Sequence, residues 1–255
     1  MKEKIKLLGH NILKKFGYDI MKNSTINYVP FGRDPIKDMS LFLKEEEFPM
    51  IFDVGGNTGQ SITRLKKIFT KSMIHSFEPS PTTFEKLNAY SSTFNGVKAW
   101  NYGIGSAKAV LPFLENSYSD MSSFLEPSES CWGTIDKVTN VQVITLDSFT
   151  TNEKINFVHI LKCDTQGFDF EVLKGAEGLL KENRIGIIYF EVIFSKMYKD
   201  APSFCEILAY LLAHNYVMVG FYEQGYQHNL LSWTDVMFIN VDYKKKLMNQ
   251  KITEN

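Results

Sequence analysis

The stretch Phe52-Asp53-Val54-Gly55-Gly56-Asn57-Thr58-Gly59 constrains this chain more than any other. An apolar run from Pro49 to Val54 precedes it and reads as a buried strand. Behind it, Ile62, Leu65 and Phe69 recur at helical spacing, with Lys66 and Lys67 in the last turn. A strand, a glycine-rich turn and a helix make the first half of a nucleotide-binding βαβ unit. Glycine permits both the sharp turn and the close approach of a ligand to the backbone. The helix N-terminus then offers N–H groups and a partial positive charge.

The turn also discriminates between nucleotides. A dinucleotide fingerprint is G-x-G-x-x-G, which lays bare backbone against a pyrophosphate. Here Asn57 occupies the third position of the pattern that starts at Gly55, and Asp53 precedes the glycines. An acid at that point repels a pyrophosphate and suits a ligand with a cationic end. S-adenosylmethionine has an ammonium, a sulfonium and one carboxylate. The pattern D-x-G-x-N-x-G therefore predicts a methyl-donor site around Asp53, Gly55, Asn57, Thr58 and Gly59, against the alternative of a tight turn with no ligand. The next strand, Met73 to Phe77, ends at Glu78-Pro79. In βαβ sites an acid about 20 residues beyond the glycine turn bonds the ribose hydroxyls, and Glu78 stands at that remove. Ser80-Pro81 then opens a helix, with a capping serine and proline in the first helical position.

With 255 residues the chain is long enough for one large α/β domain with a sizeable core. A net charge of −1 gives no field that would draw it to nucleic acid or to an acidic membrane. Cys131, Cys163 and Cys205 are too few and too scattered for a disulfide framework or a C-x-x-C metal site, and the histidines show no ligand spacing, so no metal is expected. No apolar run reaches the length of a membrane span. Polar residues Lys6, His10, Asn11 and Lys14 interrupt the first apolar residues, which argues against a signal peptide and for a cytoplasmic protein.

In chain order, Lys2 to Phe16 fits a helix with Ile5, Leu8, Ile12 and Phe16 on one face. That face suits packing on the domain or in a homo-oligomer; peripheral contact with anionic lipid is the alternative. Residues 23–38 read as a connector, and Asp38 to Glu47 as a short helix. The expected division is therefore a helical extension over 1–47, a nucleotide-binding domain over 48–243 and a charged, frayed tail over 244–255. Gly96 to Tyr102 reads as a third strand, whose end at Gly103 is a candidate edge for a flat adenine ring or an ordinary turn. Val110 to Leu114 and Val141 to Leu146 read as strands flanking a polar excursion, Glu115 to Asn140, which is either a lid or a surface loop. Ile155 to Cys163 is a central strand that closes in Lys162-Cys163-Asp164-Thr165-Gln166-Gly167. Arg184 to Glu191 is the next strand, Pro202 to His214 a helix, and Tyr216–Tyr222 and Val236–Val241 the last strands, separated by a polar loop from Glu223 to Thr234.

The succession F-D-V-G-G-N-T-G, F-E-P, L-K-C-D-T-Q-G-F-D-F-E-V-L-K-G-A and Y-F-E-V resembles the FkbM family of S-adenosylmethionine-dependent methyltransferases over roughly Ile51 to Asn240. The first turn is generic to class I methyltransferases; its combination with K-x-D-x-x-G and E-V-L-K-G-A is far more specific. Gly56 stands where the family often has alanine. The resemblance implies an α/β, Rossmann-like three-layer sandwich: a seven-stranded, mostly parallel sheet with an antiparallel last strand. It implies O-methylation, in the family typically of a sugar or natural-product hydroxyl, and so a small-molecule or glycan acceptor. It also implies that Asp53, Gly55, Asn57 and Gly59 form the cofactor turn, that Glu78 is the ribose acid, and that Asp164 lies beside the methionine end of the cofactor and the acceptor.

A methyl on a sulfonium is already activated, so an enzyme has mainly to align an oxygen behind it and take the hydroxyl proton. Asp164 is the first candidate for that base and Glu191 the second. Lys162 shares the strand face of Asp164 and is either coupled to it in catalysis or its ion-pair partner. The rival readings are an NAD-dependent reductase, opposed by Asp53, Asn57 and the lack of a Tyr-x-x-x-Lys pair, and a non-catalytic nucleotide-binding protein, opposed by the intact cofactor positions. An RNA substrate is opposed by the lack of a basic stripe.

Overall fold

The computed structural model describes residues 31–44 and 46–250, without the side chains of 248–250. The helix expected at Lys2 to Phe16 lies outside the described residues, as does the first half of the connector. Helix α1 spans Pro35–Phe42, and the side chain of Asp34 accepts from the Ile36 and Lys37 N–H groups at its start. Strand β1 (Met50–Val54), helix α2 (Gln60–Ile68), β2 (Met73–Phe77), α3 (Pro81–Ser91) and β3 (Val97–Trp100) follow. Then come β4 (Gly103–Ile104), β5 (Ala109–Asn116), a 3-10 turn (Ser119–Met121), β6 (Ile135–Ile144), α4 (Leu146–Asn152) and β7 (Val158–Cys163). Helices α5 (Asp169–Lys174) and α6 (Glu177–Lys181), β8 (Ile185–Ile193), α7 (Phe204–Ala213), β9 (Tyr216–Gln227), β10 (Leu230–Asn240) and α8 (Val241–Gln250) complete the order.

The main sheet has seven strands in the order β3-β2-β1-β7-β8-β10-β9. Neighbours pair in parallel from β3 to β8, and β10 runs antiparallel to both β8 and β9. This is the expected class I methyltransferase sheet. Its strands are apolar on both faces because helices cover both. Alternate residues face opposite layers: Ile51, Ile74, Ile160 and Ile187 pack with α1 and α2, whereas Phe52, Phe77, Leu161 and Ile188 pack with α4 to α7. In that second layer Phe149 of α4 meets Phe52, Phe77, His75 and Trp100 edge-on, with ring centroids 5.6, 4.8, 5.4 and 5.1 Å away.

The structure differs from the sequence reading where polar side chains, rather than hydrophobic periodicity, direct the backbone. The third strand stops at Trp100, because the Asn101 side chain donates to the Glu78 and Pro79 carbonyls at 2.8 and 3.0 Å and turns the chain out of the main sheet. Gly103 and Ile104 then join β6 in a second, three-stranded sheet ordered β4-β6-β5. The long ladder of β5 with β6 shortens the polar excursion to residues 117–134. No loop separates Glu223 from Thr234: β9 and β10 form a hairpin closed by His228 and Asn229, both at positive φ (48° and 62°). Positive φ at both central residues gives a turn whose twist matches its strands. Residues 244–250 of the expected tail are helical, because Asn240 Oδ1 accepts from the Asp242 and Tyr243 N–H groups and caps α8, whose Tyr243 and Leu247 pack on the sheet.

Replacing Phe149 removes the shared partner of that aromatic cluster. Phe149→Ala should cost about 3–5 kcal/mol of unfolding free energy, read as a lowered urea midpoint at an unchanged m-value.

Candidate active site

A cleft opens at the carboxyl ends of β1, β2, β7 and β8, lined by Gly55 and Asn57 of the first turn, Glu78, Tyr102–Ile104, Asp164–Gln166 and Glu191. Parallel α/β sheets place ligands at this edge. The first turn is held by its neighbours. Gly55 has φ +79°, and a Cβ there would lie 1.9 Å from the Asp164 carbonyl oxygen. A Cβ on Gly56 would meet Ser76 Oγ at 2.2 Å, which accounts for glycine where alanine is frequent. Gly59, at φ +99°, turns its bare α-carbon to the Tyr90 ring, and neither it nor Thr58 contributes to the cleft wall.

Asp53 does not face the cleft either, which corrects the expected direct contact. It is fully buried; its Oδ2 accepts from Ser76 Oγ at 2.8 Å, and its Oδ1 lies 3.0 Å from Lys162 Nζ, an ionic contact without an aligned hydrogen bond. Lys162 Nζ is also 3.6 Å from Asp164 Oδ2. Burial alone would lower the Lys162 pKa, but the Asp53 and Asp164 charges outweigh it and hold the ammonium above its usual range. Lys162 is therefore an ion-pair lysine here and does not reach the cleft wall.

Repulsion of a pyrophosphate comes from other groups. The Gly55 and Gly56 N–H groups both donate to the Phe77 carbonyl (3.0 and 2.9 Å), and Gly59 N–H donates to the Gly56 carbonyl. Asn57 N–H donates to Glu78 Oε2 at 2.9 Å. The Gly55, Gly56, Asn57 and Gly59 amides of the turn are thus already engaged, and the wall beside them carries the Glu78 carboxyl. Glu78 Oε1 accepts from Ser80 N–H at 2.9 Å, so both oxygens are fixed in place, each with a lone pair left for a hydroxyl. Burial raises the Glu78 pKa from 4.5 to about 7, against the two backbone hydrogen bonds and with help from Asp53 and Glu115. Gly103 forms part of the wall, and Phe124 lies over it, 2.5 Å from where its Cβ would be. That ring contact accounts for the glycine equally with an adenine edge.

Asp164 and Glu191 are brought together by a residue not singled out beforehand. Gln166, in a left-handed conformation (φ 54°), donates from Nε2 to Asp164 Oδ1 at 3.2 Å and to Glu191 Oε2 at 3.1 Å. Its Oε1 accepts from Tyr198 OH at 2.9 Å. Only its place inside K-C-D-T-Q-G pointed to it. Asp164 is 44% exposed, while Glu191 is held well above the ordinary carboxyl range by burial and by the charges of Asp164, Asp169 and Asp235. The excursion 117–134 crosses the cleft as a strap. Ser119 Oγ donates to Asn57 Oδ1 (3.1 Å), Ser123 Oγ to the Gln166 carbonyl (2.8 Å) and Tyr198 OH to the Met121 carbonyl (3.0 Å). Asp120 and Trp132 of the strap, with Trp233 of β10, line the outer wall.

Residues 53–218 match the model of the Methyltransferase FkbM domain. The chain belongs to this family. It is 28% identical over 155 residues to the hexuronic acid methyltransferase AglP of Haloferax volcanii (58% of this chain, 59% of the relative). It is 26% identical over 144 residues to methyltransferase 1 of Beauveria bassiana (50% and 58%). It is 22% identical over 200 residues to the 2-O-methyltransferase NoeI of Sinorhizobium fredii (74% and 81%). The chain thus spans a little under three fifths of the length of the first two of these relatives. An rRNA methylase of Streptococcus thermophilus superposes with a TM-score of 0.47 at 14% identity, over 82% of this chain and 97% of its own.

S-adenosylmethionine is the cofactor of this methyltransferase domain, and the cleft fits it. Its cationic sulfonium and ammonium suit a wall of carboxyls, and one weak carboxylate does not need the engaged turn amides. Among the described residues no group of His, Cys, Asp and Glu has the arrangement of a metal site. No described helix is long and apolar enough to cross a membrane.

Two outcomes follow from these placements. Lys162→Met strands the Asp53 charge and should cost about 3–5 kcal/mol of stability, seen in chemical denaturation; an unchanged stability with lost activity would instead make Lys162 catalytic. For Glu78 the folded pKa is raised, so the fold is favoured by its proton below pH 4.5 and loses that contribution as pH rises to about 7. A bond to ribose hydroxyls is strongest with the ionised form. Calorimetric affinity for S-adenosylmethionine should therefore rise from pH 6 to 8 more steeply in the parent than in Glu78→Ala, and the variant should bind about tenfold more weakly at pH 8.

Proposed function

We propose that this chain transfers the S-adenosylmethionine methyl group to a hydroxyl oxygen of a small molecule, a sugar or glycan in the first place. The carrying observation is the Asp164–Gln166–Glu191 cluster, which puts a half-exposed carboxyl and a buried one at one end of a cleft whose other end carries Glu78 and Asn57, a pair that supports a nucleoside there. Relatives named as a hexuronic acid methyltransferase and a 2-O-methyltransferase support a hydroxyl on a sugar. The amides engaged within the turn weigh against the reductase reading. Residues 48–243 are the proposed catalytic domain, and three free thiols support a cytoplasmic setting.

When bound, S-adenosylmethionine supplies a methyl group on a sulfonium, transferred to an attacking oxygen as the carbon–sulfur bond breaks. Glu78 and Asn57 would hold the nucleoside, and Gly103 with Ile104 would border its base. Asp164 would accept the acceptor's hydroxyl proton, with the Lys162 ammonium 3.6 Å from its Oδ2 holding the carboxyl in place. Burial raises the Glu191 carboxyl above its usual range and so favours its neutral form; in that form it would donate a hydrogen bond and serve as an orienting acid. Gln166 fixes the spacing of the two.

Asp164→Asn keeps the hydrogen bond from Gln166 and removes the basicity. It should lower methyl transfer at saturating cofactor by about 10²–10⁴-fold, with melting temperature and cofactor affinity close to the parent. Full turnover in this variant would remove Asp164 from the chemistry.

A further inference from the structure

We propose that the acceptor is an uncharged sugar ring, held in the outer cleft against Trp132 and Trp233, and that sugars bearing a carboxylate are excluded. This rests on the hydroxyl-methylation reading and names its substrate class.

The sign of the wall is the first observation. Its described residues include Glu78, Asp120, Asp164 and Glu191 and contain no lysine, arginine or histidine. Lys162, which closes β7 beside the cleft, is engaged by Asp53 and Asp164 at 3.0 and 3.6 Å. Asp169, buried behind Thr165, adds a further acid. A carboxylate on the acceptor would enter a space that, among the described residues, presents Asp120 and Asp164 and no cationic side chain, and like-charge juxtaposition is how interfaces reject wrong partners.

The second observation is the pair of indoles. Trp132 is 52% exposed, and its backbone is tied at the cleft mouth by Asn116 Nδ2, which donates to its carbonyl at 2.9 Å. Trp233 lies across the bare backbone of Gly225, where a Cβ would meet the ring at 2.1 Å. The β8–β10 register sets Trp233 opposite Ile193 and Asp235 opposite Glu191, so the indole stands one step along the strand from the acid pair. An indole offers a flat apolar face, and a pyranose has a face of C–H groups to lay on it. The hydroxyls at the ring's rim are donors, and carboxylates are acceptors. A flat apolar aglycone would stack as well but would leave those carboxylates desolvated and unpaired, which is costly.

The test uses the full chain with saturating S-adenosylmethionine and measures S-adenosylhomocysteine released with three panels: methyl glycosides of neutral hexopyranoses, the matching methyl hexuronides, and phenolic or alicyclic aglycones. Neutral glycosides should show kcat/KM at least about tenfold above their uronides. Trp132→Ala and Trp233→Ala should raise KM for the glycoside about tenfold and leave cofactor affinity unchanged. Gly225→Val, which displaces the Trp233 ring from outside the cleft, should reproduce the Trp233 effect. Asp120→Lys should raise the uronide's kcat/KM relative to the neutral sugar's. Uronides turned over as fast as neutral sugars, or indole variants with the parent KM, would overturn the inference. Methylation confined to the aglycones would overturn it and leave hydroxyl methylation standing. A protein that binds S-adenosylmethionine and methylates no member of any panel would overturn both.

Discussion

Asp53 and Lys162 form an ion pair at the carboxyl edge of the sheet, with a wholly buried carboxylate and a nearly buried ammonium. Neither group could be buried alone, since an unpaired interior charge costs several kcal/mol. The strand register makes the pair: Ser76, Asp53 and Lys162 stand side by side on β2, β1 and β7. This row lets the first turn sit so low that its Gly55 touches the Asp164 carbonyl. Among the described residues the charged side chains that line the cleft above it are acids, because Lys162 is engaged by Asp53 and Asp164.

Burial then sorts those acids. Asp169 and Asp235 are raised to about 7, and Glu191 well above its ordinary range, in each case chiefly because desolvation disfavours the charged form. Asp235 is bonded by Tyr189 OH at 2.5 Å, so this part of the polar network lies under the cleft. Environments that push neighbouring carboxyls apart assign acid and base roles within one site. In the proposed mechanism half-exposed Asp164 is the base, and buried Glu191, whose charged form burial disfavours, is the acid.

The second sheet gives the site its outer wall. Once Asn101 has turned the chain out of the main sheet, the β5–β6 ladder projects the strap across the strand ends, where serines tie it to the cofactor turn and to Gln166. The same contacts join the Asn57 end of the cleft to its Gln166 end. A change at Ser123 or Tyr198 thus acts on both carboxyls through Gln166 without touching substrate.

The sequence by itself determined the sheet architecture, the cofactor class and the carboxyl-edge positions of Glu78, Asp164 and Glu191. Apolar runs closed by glycine or acid have one consistent arrangement in a parallel sheet, with those closing residues on a single edge. It could not determine where Asp53 points, because a side chain beside a glycine turn faces the ligand or the interior according to its neighbours, and only strand register brings Lys162 to it. Gln166 looked like one motif letter until its positive φ aimed it between two acids. The β9–β10 arms read as a loop because one side of that ribbon is wet, so polar residues outweighed the alternation. Trp132 and Trp233 are about a hundred residues apart in the chain, and nothing local couples them. Tertiary structure decided that they share a wall, because the β5–β6 ladder and the β9–β10 hairpin deliver them to the same edge from opposite sides.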